Sequence, residues 1–256
     1  MTRQNCPWPT IRRPCREATA VKVEIWSDIT CPWCYVAQAR FEKALAVFPH
    51  RESVEVVHKS YELEPGRAKG DVEPIVKVLM KGKGWTESQA LANERNLTAQ
   101  SAGEGLPYVA GRDHGSTFHI HRLLHFAKAR GKQHELVKVL YRANFAEEES
   151  IFTDDERLVA LAVEVGLDAD AARSVLAAPN AYADEVRADE REGNQLGVAG
   201  VPFFVFDRQY GVSGAQSAEA FTQALTQAWG DRAPLRAVAG AEDAHACGPD
   251  GCPVPH

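Results

Sequence analysis

No apolar run in this chain of 256 residues approaches the length of a transmembrane helix, which argues against a membrane span. A basic excess is missing too. Lysine and arginine total 29 against 35 aspartates and glutamates, a formal charge of -6, and no basic stripe interrupts that balance. A nucleic-acid partner is therefore not expected. Met1 to Ala20 carries four arginines but no apolar core, so it does not read as a secretory signal, and a cytoplasmic location is expected. Cysteine is scarce, with six residues in all. Structural disulfides are uncommon in a reducing compartment, where paired cysteines are more often catalytic or metal-binding. There is no internal repeat.

What the chain does contain is ordinary globular composition, 45% hydrophobic and 25% charged, over a length that can bury a full core as one domain or one domain with a large insertion. Its most informative feature is Cys31-Pro32-Trp33-Cys34. The motif follows an alternating run, Val21-Lys22-Val23-Glu24-Ile25-Trp26, and opens a stretch with apolar residues at helical spacing, Tyr35, Ala39, Leu45 and Phe48. Strand, Cys-x-x-Cys, helix is the setting in which this motif reads as a redox site. Unpaired backbone N–H groups and the positive end of the dipole favour a thiolate at a helix start. Pro32 suits the first helical position, where a missing N–H costs nothing. The second cysteine returns one turn later, placed to attack a mixed disulfide formed by Cys31. The alternatives are half a zinc site, which needs a second ligand pair nearby, or two inert residues. The remaining cysteines, Cys6, Cys15, Cys247 and Cys252, lie near the chain ends.

Residues 21–27 predict a first strand, 31–48 a helix ended by Phe48-Pro49, and 53–63 a second strand, together a right-handed parallel crossover. From 74 to 180 strand pattern is scarce, and segments at 86–100, 117–130, 134–147, 154–165 and 168–177 have helical composition. A helix near 181–195, a hairpin built from 201–206 and 211–214, and a final amphipathic helix over 217–229 follow. The expected division is an extension at 1–20, a sheet domain formed by 21–70 with 181–229, a helical insertion at 71–180 and a flexible tail at 230–256.

Ser27-Asp28-Ile29-Thr30-Cys31-Pro32-Trp33-Cys34-Tyr35 and Gly200-Val201-Pro202-Phe203-Phe204-Val205-Phe206, with Val212-Ser213-Gly214-Ala215-Gln216, resemble the DsbA family. They are closest to its FrnE-like branch of dithiol oxidoreductases, and the resemblance covers about residues 21–229. It implies an α/β thioredoxin fold with a large inserted all-helical domain. The branch often has Gly where this chain has Ala37, and the related kappa-class glutathione transferases and hydroxychromene carboxylate isomerases have Ser where it has Cys31.

The resemblance also assigns roles. Cys31 and Cys34 are the catalytic dithiol. Pro202 matches a cis-proline set against the dithiol, and Val201 pairs with the substrate peptide. Glu24, on the first strand, is a candidate proton acceptor for Cys34, against the alternative of a solvent-facing acid beside Lys22. By their residue types Trp33, Trp26 and Tyr35 would line an apolar approach to the thiol, with a core position the equal alternative for Trp26. His119, His121 and His125 invite a metal reading, since two lie four apart on a helix, but the zinc-protease pattern fails at Arg122 and a polar helix face is the alternative. No metal is expected. Cys247-Gly-Pro-Asp-Gly-Cys252 has a turn-forming insert and is a candidate second redox pair; a linker of about 17 residues would reach roughly 20–25 Å. A permanent disulfide, a metal site or no role are its alternatives. The expected partners are protein or peptide thiols and disulfides, with glutathione a further candidate. No organic cofactor is needed, because the dithiol carries the electrons. The expected function is thiol–disulfide exchange or disulfide isomerisation. A glutathione-dependent small-molecule isomerase or transferase, and a redox-sensing or metal-binding protein, are the alternatives. The protein would be a monomer or a homodimer.

Overall fold

The computed structural model of the chain describes residues 20–232. In chain order the elements are β1 (Val21–Ser27), α1 (Pro32–Val47), β2 (Val54–Ser60), β3 (Glu73–Pro74), α2 (Ile75–Lys83), α3 (Glu87–Gly103), β4 (Asp113–His114) and α4 (Phe118–Lys128). They continue with α5 (Gln133–Ala146), α6 (Asp155–Glu164), α7 (Ala169–Ala177), α8 (Ala183–Gln195), β5 (Phe203–Phe206), β6 (Tyr210–Ser213) and α9 (Ala218–Gly230). The main sheet has the order β2-β1-β5-β6. β1 runs parallel to β2, in register from Val21 opposite Val54 to Ser27 opposite Ser60, and antiparallel to β5. This is the thioredoxin arrangement with helices inserted between β2 and α8.

The alternation of β1 decides the layers. Val21, Val23 and Ile25 face one core with Phe41 and Ala44 of α1, Phe204 and Phe206 of β5, and Phe221 and Leu225 of α9. Phe41 is its hub, with ring centroids 5.5 Å from Phe204 and 5.8 Å from Phe221. Trp26 faces the opposite side and packs with Val198 and Val205. Its indole N–H donates to the Asp189 carbonyl at 2.8 Å. At Gly193 of α8 a Cβ would lie 2.8 Å from the Trp26 Nε1, so only glycine lets helix and indole approach this closely. A third apolar cluster belongs to the inserted helices: Leu123 and Phe126 of α4, Leu140 and Phe145 of α5, Leu158 and Leu161 of α6. Ile29, Cys31, Cys34 and Tyr35 are part of that cluster. The dithiol thus sits where the sheet layer meets the helical segment.

The caps explain where several helices begin. Thr86 and Gln89 form a reciprocal capping box on α3, and Asp154, Asp168 and Ser217 each accept a backbone N–H at the start of α6, α7 and α9. Between β5 and β6 the chain reverses through the three residues 207–209, with Asp207 and Arg208, both at positive φ (52° and 59°), at the centre of a turn closed by the Gln209 N–H donating to the Phe206 carbonyl at 2.9 Å. The hairpin strands differ in detail from the 201–206 and 211–214 that the sequence predicts: β5 begins at Phe203 and β6 at Tyr210. Helix α2 and the two-residue β3–β4 pairing were not anticipated. Ile75 and Val78 are the buried residues of α2, too few to set a readable period, and its β-branched start looks like a strand.

A polar network covers the Trp26 face. The Asp189 carboxylate takes Lys59 Nζ at 2.7 Å, the Ser60 N–H at 3.0 Å and His125 Nε2 at 3.1 Å. Burial would raise this carboxyl, but those partners outweigh it and draw it from the ordinary 3.8 to about 2. The folded value is depressed, so its contribution of roughly 2 kcal/mol is present above pH ~4 and lost as pH falls towards ~2. Melting curves between about pH 5 and 2 should show that loss in the parent protein and a flatter profile in Asp189→Asn.

Candidate active site

Cys31 caps α1. Its backbone is extended (φ -81°, ψ 111°) and Pro32 takes the first helical position. The Cys31 carbonyl accepts the N–H of Cys34 at 3.0 Å and of Tyr35 at 3.4 Å. Cys31 therefore stands at the positive end of the helix dipole, and Cys34 one turn in. Both are free thiols and both are buried, at 5% and 2% exposure, while Trp33 between them is 37% exposed.

The Cys31 thiol reaches the Val201 carbonyl at 3.6 Å. The Val201–Pro202 peptide bond is cis. Pro202 is anchored in turn, its carbonyl accepting the Gly214 N–H at 2.9 Å. A cleft of about 370 Å³ opens beside this segment, lined by Gly200, Val201, Pro202, Phe203, Ser213 and Gly214 among others. The structure thus brings Cys31, Cys34 and Val201–Pro202 together from sequence positions 170 apart.

The two sulfurs stand in different settings. Burial pushes the Cys34 thiol well above its usual range, and the hydrogen bond and charge of Cys31 push it further. An Asp28 backbone hydrogen bond pulls it down and the Asp28 charge pushes it up. Cys34 accordingly holds its proton at neutral pH. Helix α5 covers this corner. Tyr141 donates to the Asp28 carbonyl at 3.5 Å, and Asn144 donates to the Ile29 carbonyl at 2.9 Å. Burial holds the Tyr141 phenol protonated.

Glu24 is placed differently from its expected role. It is buried, so the solvent-facing alternative fails, yet it forms an ion pair with Lys22 at 3.3 Å and with Arg208 across the hairpin. It lies on the Trp26 side of β1, opposite to Val23 and Ile25. The acid whose charge reaches Cys34 is Asp28, and it raises the thiol slightly rather than lowering it. Asp28 Oδ2 accepts the Leu63 N–H at 2.8 Å and Oδ1 lies 3.4 Å from His121 Nε2. Burial would raise the Asp28 carboxyl, but His121, the Leu63 amide and the Thr117 side chain outweigh it and hold it below the usual carboxylate range.

The three histidines of α4 do not form an exposed polar face. All are buried. His121 faces Asp28, His125 faces Asp189 and the Ser60 hydroxyl, and burial brings His119 down to about 4. Among the described residues no group of three or more His, Cys, Asp or Glu is arranged to hold a metal, and no helix is long and apolar enough to cross a membrane. Cys6, Cys15, Cys247 and Cys252 lie outside the described residues.

Comparison with known proteins agrees with this geometry. Residues 22–226 match the DSBA-like thioredoxin domain family. The crystal structure of the probable DsbA oxidoreductase SCO1869 from Streptomyces coelicolor is 65% identical, with a TM-score of 0.80, covering 92% of this chain and 100% of that one. The uncharacterized protein YwbO of Bacillus subtilis (strain 168) is 27% identical over 206 residues, 80% of this chain and 96% of that protein. The cytosolic disulfide reductase DsbM from Pseudomonas aeruginosa, solved with GSH, shares the fold at 16% identity and a TM-score of 0.56, covering 80% of this chain and 98% of that one. With a dithiol at a helix start, a proline-bearing segment against it and a family match across nearly all of the described residues, the chain belongs to the DSBA-like thioredoxin domain family.

Proposed function

We propose that this protein is a thiol–disulfide oxidoreductase or protein disulfide isomerase, working in the cytoplasm on protein or peptide thiols and disulfides, with glutathione as a small partner. The observation that carries the reading is the asymmetry of the dithiol: Cys31 at the helix start against the Val201 carbonyl, Cys34 deeper and protonated. Cys31 attacks a substrate disulfide as thiolate, one substrate sulfur leaves, and a mixed disulfide forms. Cys34 then displaces the remaining substrate sulfur from Cys31, or the product thiol reattacks. Val201 and Pro202 dock the peptide beside Cys31, and exposed Trp33 lines its approach. The helices over 71–180 serve as a cover for the dithiol. Cys247 and Cys252 extend the activity as a second, reversible pair that exchanges electrons with Cys31–Cys34. The GSH in the DsbM structure supports the glutathione assignment.

Insulin reduction measured beside scrambled-ribonuclease refolding tests the reading. The parent protein should turn over in at least one assay, and Cys31→Ser should fall to background in both. Activity that survives Cys31→Ser would sink the proposal. Glutathione-dependent isomerisation of a small molecule with no dithiol turnover would favour the isomerase reading instead.

A further inference from the structure

The cleft beside Val201 and Pro202 has two walls with unequal support. One is tied to the dithiol by the 3.6 Å contact between the Cys31 thiol and the Val201 carbonyl. The other is Ser213 and Gly214, at the end of β6. Among the described residues β6 is an edge strand, paired with β5 on one side, so the sheet holds its last residues from one side alone. The Gly214 N–H donates to the Pro202 carbonyl at 2.9 Å, and Gly214, at φ 80°, turns the chain towards α9. The next residue, Ala215, takes a donor from another layer. Arg40 of α1 gives Nη1 to the Ala215 carbonyl at 2.6 Å. The same guanidinium gives Nε to Glu104 Oε1 at 2.6 Å and Nη2 to Gln100 Oε1 at 3.3 Å. Gln100 lies on α3 and Glu104 caps the C-terminal end of that helix. Lys43, one turn further along α1, holds the second Glu104 oxygen at 2.6 Å.

We propose that Arg40 is a positioning residue for peptide docking: oriented by Glu104, it fixes the 213–216 turn as the far wall of the cleft beside Cys31. This rests on the reading above, in which Val201 and Pro202 dock the substrate peptide. It adds a selectivity for extended peptide chains over small disulfides, and it gives α3 of the helical segment a part in that selectivity.

The geometry of the guanidinium carries the argument. It is planar and presents its donors in a fixed fork. With Nε on Glu104 and Nη2 on Gln100, the direction of Nη1 is set. The Arg40 and Glu104 side chains are 18% and 15% exposed, so water competes weakly for these bonds. A charged donor also binds a carbonyl more strongly than a neutral one does. One peptide bond joins Gly214 to Ala215, so holding the Ala215 carbonyl also holds the Gly214 N–H against Pro202. Arg40 comes six residues after Cys34, about 9 Å along the helix axis at 1.5 Å per residue. It therefore acts on the cleft wall and leaves the Cys31 thiol alone. A small disulfide needs only that thiol, whereas a peptide has to lie between both walls.

Single-turnover reaction of the reduced full chain with two disulfides tests the assignment. One is DTNB, which has no peptide backbone. The other is a short peptide joined to a second copy of itself by one disulfide, followed by rapid quench and intact mass. Arg40→Ala should raise the half-saturating peptide concentration by about 10-fold, the scale of one lost charge-assisted hydrogen bond. The limiting rate with peptide and the rate with DTNB should stay within about 2-fold, since binding is lost and chemistry is not. Arg40→Lys should not restore peptide binding, because an ammonium keeps the charge beside Glu104 but loses the fork. Glu104→Gln should shift the half-saturating concentration the same way by about 3-fold, and it covers the case of Arg40 variants that do not fold. In folded variants, an unchanged half-saturating concentration overturns the assignment. Equal losses towards DTNB and peptide overturn it as well, and so does full rescue by lysine. A parent protein whose reaction with DTNB does not depend on Cys31, or whose reaction with the peptide does not saturate, overturns the docking reading itself, which separates the two failures.

Discussion

Cys31→Ser should leave no measurable dithiol turnover, whereas Cys34→Ser should accumulate a covalent mixed disulfide with substrate. The two substitutions are chemically identical and their positions are three residues apart, so only the different roles of the sulfurs predict different outcomes. Serine at 31 removes the nucleophile at the helix start, and Cys34, buried and protonated, cannot substitute for it. Serine at 34 leaves attack intact and removes the group that displaces the substrate sulfur. Non-reducing electrophoresis and intact mass of each variant after exposure to a disulfide peptide give the measurement. A trapped adduct on Cys31→Ser, or none on Cys34→Ser, would reverse or remove the assignment.

Trp26→Ala should be the most destabilising single change on the sheet, at about 3–5 kcal/mol for a fully buried large aromatic. Trp26 is fully buried, packs on Val198 and Val205, and donates to the Asp189 carbonyl. Its loss leaves a cavity between β1 and α8 and an unpartnered carbonyl in the network that also holds Lys59 and His125. At about 2–4 °C per kcal/mol for a chain of this size, the melting temperature should fall by roughly 6–20 °C. Trp33→Ala is the control, because Trp33 is 37% exposed at the mouth of the site. It should change stability within about 0.5 kcal/mol and act on substrate binding instead. Equal thermal shifts for the two variants would contradict this division of labour.

The parts of the fold that local rules determine were legible. Strict alternation marked β1, helical composition marked α3 to α7, amphipathic spacing marked α9, and Cys-x-x-Cys between strand and helix marked the site. Helix α2 was not legible, because its two buried residues set no period. The electrostatics of the site were harder still. Glu24 and Asp28 are both acids close before Cys31, and nothing local decides which one meets the dithiol. That choice depends on the face of β1, on Arg208 arriving from the hairpin to bind Glu24, and on His121 arriving from α4 to bind Asp28. The four-residue spacing of His121 and His125 was visible, but their carboxylate partners come from the β1 loop and from α8.

The pH dependence of iodoacetamide labelling, read cysteine by cysteine by mass spectrometry, tests the central claim most directly. The asymmetry of the dithiol predicts that Cys31 is labelled first at neutral pH and that Cys34 becomes reactive only at much higher pH, when its buried thiol is forced to ionise. Labelling of Cys34 before Cys31 at neutral pH would contradict the account.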